Sequence, residues 1–110
     1  MDIVEIRSVF KLGERIEYTA HCQKRMFERG ISRVDIRDCI LYGEIIEEYP
    51  LDDSNDSTKS VPSCLILGTR ARDNAAIHVV VGYNGNKVLI ISACYPDNIH
   101  WLDDYKTRRR

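Results

Sequence analysis

No apolar run in this chain approaches the ~20 residues a membrane helix needs. The longest, Ile77 to Gly82 and Val88 to Ala93, are each interrupted by a polar residue. The N-terminus carries Asp2 and Glu5 and lacks the charged-then-apolar pattern of a signal peptide. The expectation is an intracellular, cytoplasmic protein with no membrane partner. There is no internal repeat and no low-complexity tract. A serine nucleophile elbow, a glycine-rich phosphate loop and a His-Glu-x-x-His zinc motif are all missing. Hydrolase-triad, nucleotide-cofactor and metal chemistry therefore lack support, and no cofactor is expected.

Cysteine is present without a pattern. Cys22, Cys39, Cys64 and Cys94 are separated by 17, 25 and 30 residues, with no Cys-x-x-Cys pair. That spacing fits neither a zinc knuckle nor a redox motif. Each cysteine lies in or beside an apolar stretch, so the expected role is that of a small buried hydrophobe.

What remains is an ordinary globular mixture, with 44% hydrophobic and 30% charged residues. A chain of 110 residues fits one domain, taken as residues 1–110. The net charge of −1 hides a polarised chain. From Ala20 to Arg37 five bases face two acids; from Glu44 to Ser60 six acids face one base; Lys106 to Arg110 adds four more bases. A near-neutral total can thus carry a basic patch able to meet an anion.

Periodicity divides the chain into a helical first third and a strand-rich remainder. Ile3, Ile6, Val9 and Phe10 recur at helical spacing, which predicts a helix over Asp2–Leu12 closed by Gly13. A second helix is expected from Thr19 to Arg29, capped by Thr19, closed by Gly30, and packing Ala20, Met26 and Phe27 on a sheet. Ser32, with Asp35 three residues on, starts a third, whose apolar stripe is Val34, Ile36, Ile40 and Leu41. Glu44–Tyr49, Ser63–Thr69, Ala75–Tyr83 and Lys87–Tyr95 read as strands. Asn84-Gly85-Asn86 and Arg72-Asp73-Asn74 read as hairpin turns, and Leu51–Pro62 as an acidic loop. The expected fold is α+β: N-terminal helices on one face of a four-stranded, mainly antiparallel sheet.

Two features could carry chemistry. His21, Arg25 and Arg29 stand four apart on one helix, which stacks an imidazole and two guanidiniums along one face. Planar guanidiniums suit bidentate phosphate contacts; the bland alternative is a face salt-bridged to the acidic Glu44–Asp56 segment. His78 interrupts an otherwise apolar strand and falls on the face opposite Ile77, Val79 and Val81. There it could act as acid or base, or be a structural histidine held by a neighbour. Tyr95 ends the last strand, and Trp101 and Tyr105 precede the basic tail; these aromatics could stack on an exposed base, or Trp101 could close the edge of the core.

The run His21-Cys22-Gln23-Lys24-Arg25-Met26-Phe27-Glu28-Arg29-Gly30-Ile31-Ser32 resembles the H-x-x-x-R-x-x-E-R-G-I-S signature of the domain of unknown function 4258 family. Gly43–Pro50, Ile77–Val81 and Ile90–Pro96 followed by Trp101 are similar to later pieces of the same family, in the same order. This chain departs from the pattern in its acidic Asp52–Ser60 insert and in Cys94, where a threonine- or alanine-like residue is usual. The family's layout in turn resembles RelE-like and BrnT-like toxins, small ribonucleases commonly paired with an antitoxin. The resemblance implies a RelE/barnase-like toxin fold, RNA as substrate and a cognate antitoxin as protein partner. The implied chemistry is metal-independent RNA cleavage. In it His21 or His78 would exchange protons, Arg25 and Arg29 would hold the phosphate, and Tyr95 would orient the ribose or help donate a proton. The alternative is a non-catalytic module that binds RNA or an acidic protein segment through the same basic face.

Overall fold

A computed structural model describes residues 2–13, 15–49, 61–70 and 72–109. Three helices come early, and each starts and stops on a chemical signal. α1 (Ile3–Leu12) begins where the Asp2 side chain accepts from the Val4 amide and ends at Gly13, whose φ of 71° closes the last turn. α2 (Ala20–Arg29) is capped by Thr19, which accepts from the Cys22 amide, and ends at Gly30. α3 (Arg33–Tyr42) opens on a full capping box. The Asp35 amide donates to Ser32 Oγ, and the Ser32 amide donates back to the Asp35 carboxylate.

Among the described residues five strands follow or interleave, not four: β1 (Ile16–Tyr18), β2 (Glu44–Tyr49), β3 (Ser63–Thr69), β4 (Ala76–Tyr83) and β5 (Val88–Cys94). They form one open sheet in the order β1-β5-β4-β3-β2. β2 to β5 pair antiparallel with their neighbours, whereas β1 runs parallel to β5, so the sheet is mixed. β1 escapes sequence reading because three residues are too few to show alternation, and they sit between two helices where a linker is expected. Both hairpins form where expected. Asn84 Oδ1 takes the Asn86 and Lys87 amides, and the Arg70 carbonyl takes the Asn74 amide at 2.7 Å. Of the expected acidic loop, only Val61 and Pro62 lie within the described residues.

The helices cover one sheet face: α2 lies on β5, α3 on β3 and β4, and α1 against α3 and β5. Between the layers Ile6, Ile36, Ile40, Ile66, Ile77, Val79 and Val81 lose all contact with water. Each such side chain stabilises the fold by roughly 1.5–3 kcal/mol. Of the face expected of α2, Met26 is buried, but Ala20 and Phe27 are exposed. Cys22 and Met26 are buried, while Phe27 is 90% exposed, because one residue further on lies about 100° around the helix. Val34 is likewise exposed on α3. Three cysteines, Cys22, Cys39 and Cys64, are free and buried, as small hydrophobes; Cys94 is free and half-buried.

The other sheet face is not open above His78. The C-terminal segment doubles back over it, pairing Trp101 with Arg108 and sending the Leu102 amide to the Thr107 carbonyl at 2.8 Å.

Candidate anion-binding site

Side chains four apart on a helix advance by about 40° at each step. The stripe His21, Arg25, Arg29 therefore spirals inward along α2. His21 is exposed, Arg25 is half-buried beside Glu28 at 3.2 Å, and Arg29 reaches the sheet. There Arg29 Nη1 donates to the Ala93 carbonyl of β5 at 3.0 Å. Tyr95, just past the end of β5, sends its hydroxyl to the Arg29 carbonyl at 2.9 Å. The same hydroxyl accepts from Arg70 Nη1 at 2.5 Å.

Arg70 follows β3 and is braced on three sides. Its Nε donates to Asp73 Oδ1 at 2.9 Å, its Nη2 donates to the other Asp73 oxygen, and its guanidinium lies 5.2 Å from the centre of the Tyr95 ring. The Arg70 hydrogen bonds, with help from the Ala75 amide, hold the Asp73 carboxyl down to about 2. Asp73 thus stays charged and neutralises Arg70. Arg29, by contrast, forms no ion pair among the described residues.

Arg29, Arg70, Asn74, Ala75, Tyr95 and Tyr105 line an open depression of about 600 Å³ at this end of the sheet. Of the residues singled out from the sequence, Arg29 and Tyr95 meet there. His21 is exposed near the start of α2, and Arg25 is engaged with Glu28. His78 lies under the C-terminal segment, 3% exposed. Its Nε2 donates to the Tyr105 carbonyl at 2.7 Å, and its ring meets Trp101 edge-on at 4.6 Å. Burial lowers its pKa from 6.5, with the Tyr105 carbonyl pulling the other way.

Arg70 belongs to this site and was not singled out from the sequence; Tyr105, noted as an aromatic before the basic tail, lines it too. Arg70 carried one usable signal, its place at the mouth of a hairpin whose turn holds Asp73. The sequence placed Tyr105 beside the basic tail but not in this depression, since its φ of 57° and its position follow from the fold of the last residues. The basic tail is largely spoken for. Arg108 grips Glu47 with two bonds of 2.6 and 3.0 Å and lies 4.5 Å from the Trp101 ring centre; Lys106 pairs with Glu44 at 3.5 Å. The Arg108 hydrogen bonds keep the Glu47 carboxyl below its usual range. Among the described residues no group of three or more His, Cys, Asp or Glu could hold a metal ion, and no helix is long and apolar enough to cross a membrane.

Fold and site define an α+β domain in which Arg29, with no carboxylate partner among the described residues, lines an aromatic-edged depression. The model of the family described as a domain of unknown function (DUF4258) matches residues 18–95, and the chain belongs to that family. The match opens on β1 and closes on Tyr95, so it spans Arg29, Arg70 and His78. No curated protein and no solved structure matches the chain.

Proposed function

We propose that this protein binds single-stranded RNA, with Arg29 on a phosphate and the rings of Tyr95 and Tyr105 beside the neighbouring nucleotide. One observation carries the reading: Arg29 is fixed by a backbone carbonyl, has no carboxylate partner among the described residues, and lines an open depression with those two aromatic residues. One guanidinium bond to a carbonyl leaves further donors for phosphate oxygens. Stacking on a tyrosine asks only for an unpaired base, which a single strand offers and a duplex does not. Arg70 acts indirectly, holding the Tyr95 hydroxyl in place while Asp73 cancels its charge.

Cleavage asks for more than binding. A base must take the ribose 2′-hydroxyl proton and an acid must protonate the leaving oxygen. His78 is covered and bonded to a carbonyl, and the Tyr95 hydroxyl already donates to Arg29. His21 is free to meet solvent but begins the stripe that Arg29 ends. The geometry thus favours the binding module over the ribonuclease. The toxin-like fold and an antitoxin partner stay part of the proposal only through the layout, helices first and a mainly antiparallel sheet after them.

The test is a fluorescence-anisotropy titration with a labelled single-stranded RNA, followed by a denaturing gel. Losing a charged hydrogen bond to phosphate should make Arg29→Gln bind about tenfold more weakly, and wild type should return the RNA uncut. Equal affinity for the two proteins would contradict the reading; cut RNA would restore the ribonuclease.

A further inference from the structure

β1 is an edge strand, and its outer side opens on a groove. The Val88 amide donates to the Arg15 carbonyl and the Thr19 amide to the Ile90 carbonyl. In a parallel ladder alternate residues bond to one side, so Arg15, Glu17 and Thr19 turn their backbone groups to β5. Ile16 and Tyr18 turn theirs outward, where the sheet has no further strand among the described residues. The Tyr18 carbonyl is taken by Gln23 Nε2 at 3.0 Å. The outward amides of Ile16 and Tyr18 and the Ile16 carbonyl remain as a template for another backbone.

The space beside this edge is a depression of about 640 Å³. Ile16 and Tyr18 of β1 line it together with Phe10 of α1 and Arg33, Val34 and Arg37 of α3. Arg33 lies over the Tyr18 ring, 4.6 Å from its centre. Stacking fixes the guanidinium plane and leaves its edge donors facing outward. Among the described residues Arg33 has no ion pair, and Arg37 has only an exposed contact of 3.4 Å with Asp38. Such exposed pairs hold their charges weakly. Among the described residues that line the groove the one acid is Glu17, which is joined to Lys87.

We infer that this groove takes an extended acidic segment of a partner protein, added as a strand alongside β1. Alternate side chains of the added strand would enter the depression, carboxylates meeting Arg33 and Arg37 and apolar groups meeting Phe10 and Val34. RNA fits less well, because it supplies no amide ladder for the β1 edge. The site uses none of the residues of the Arg29 depression, so the two stand or fall separately.

The probe is a short synthetic peptide alternating glutamate and valine, with a lysine–valine peptide and an oligouridylate as controls. Two measurements are made: anisotropy titration, and amide hydrogen exchange resolved by residue. The glutamate peptide should bind and the lysine peptide should not, and exchange should slow at Ile16 and Tyr18. Arg33→Glu should weaken peptide binding at least ~10-fold, a loss typical of a charged hydrogen-bonded contact. The exchange footprint on wild type needs no variant, so it decides the matter even if Arg33→Glu folds poorly. Protection elsewhere, equal binding of the two peptides, or a greater loss of oligouridylate than of peptide in Arg33→Glu would overturn the inference.

Discussion

Arg25 and Arg29 have the same side chain, sit on the same ridge of α2, and end in different surroundings. Arg25 faces water beside Glu28, whereas Arg29 is locked to β5 and opens on a depression. His78 shows the same dependence on surroundings. Its strand places it opposite the core residues, and the C-terminal segment then seals it. Because burial lowers its pKa, the unfolded chain takes up a proton before the folded one does. The His78 contribution to stability is therefore complete above about pH 6.5 and is lost as pH falls from there towards the lower folded pKa. Denaturant melts across that interval should show wild type weakening with acid while His78→Gln, which can still donate to the Tyr105 carbonyl, stays level. Parallel curves would mean that His78 is not the group that titrates.

At the scale of elements, the helices were legible because their ends carry chemistry in the sequence. Asp2, Thr19 and Ser32 cap, and Gly13 and Gly30 close. The capping box of α3 gives a direct check. Ser32→Ala should cost about 1 kcal/mol, read as a lower urea midpoint with unchanged slope. Which helical face would be buried was less legible, and Phe27 was misplaced by one residue's rotation. β1 was hidden because parallel pairing with a distant strand leaves no local trace. Close approach of α3 to β3 is also silent in the sequence, yet it explains Gly68. A Cβ there would lie 2.7 Å from both the Cys39 Cα and Sγ. Gly68→Ala should destabilise by about 1–3 kcal/mol, since backbone cannot yield as a flexible side chain can. A melt unchanged from wild type would show that α3 rides further from the sheet.

For the molecule as a whole, charge polarity read from the sequence has two outcomes. The acids of β2 bind the basic tail, through Glu47 with Arg108 and Glu44 with Lys106, and hold the C-terminal segment on the sheet. The bases of α2 and α3 are not consumed in that way. Composition could show the imbalance but not which arginines, such as Arg29 and Arg33, would lack an ion pair among the described residues, since pairing is set by the sheet order and by the hairpin that brings Asp73 to Arg70. Arg29 is the residue on which the functional account rests, and salt dependence tests it most directly. Each phosphate contact on a single strand contributes about 0.7 to the slope of log affinity against log salt. With single-stranded RNA, Arg29→Gln should show a slope smaller than that of wild type by about that amount, with its fold intact. An identical slope in the two proteins would contradict a phosphate contact at Arg29.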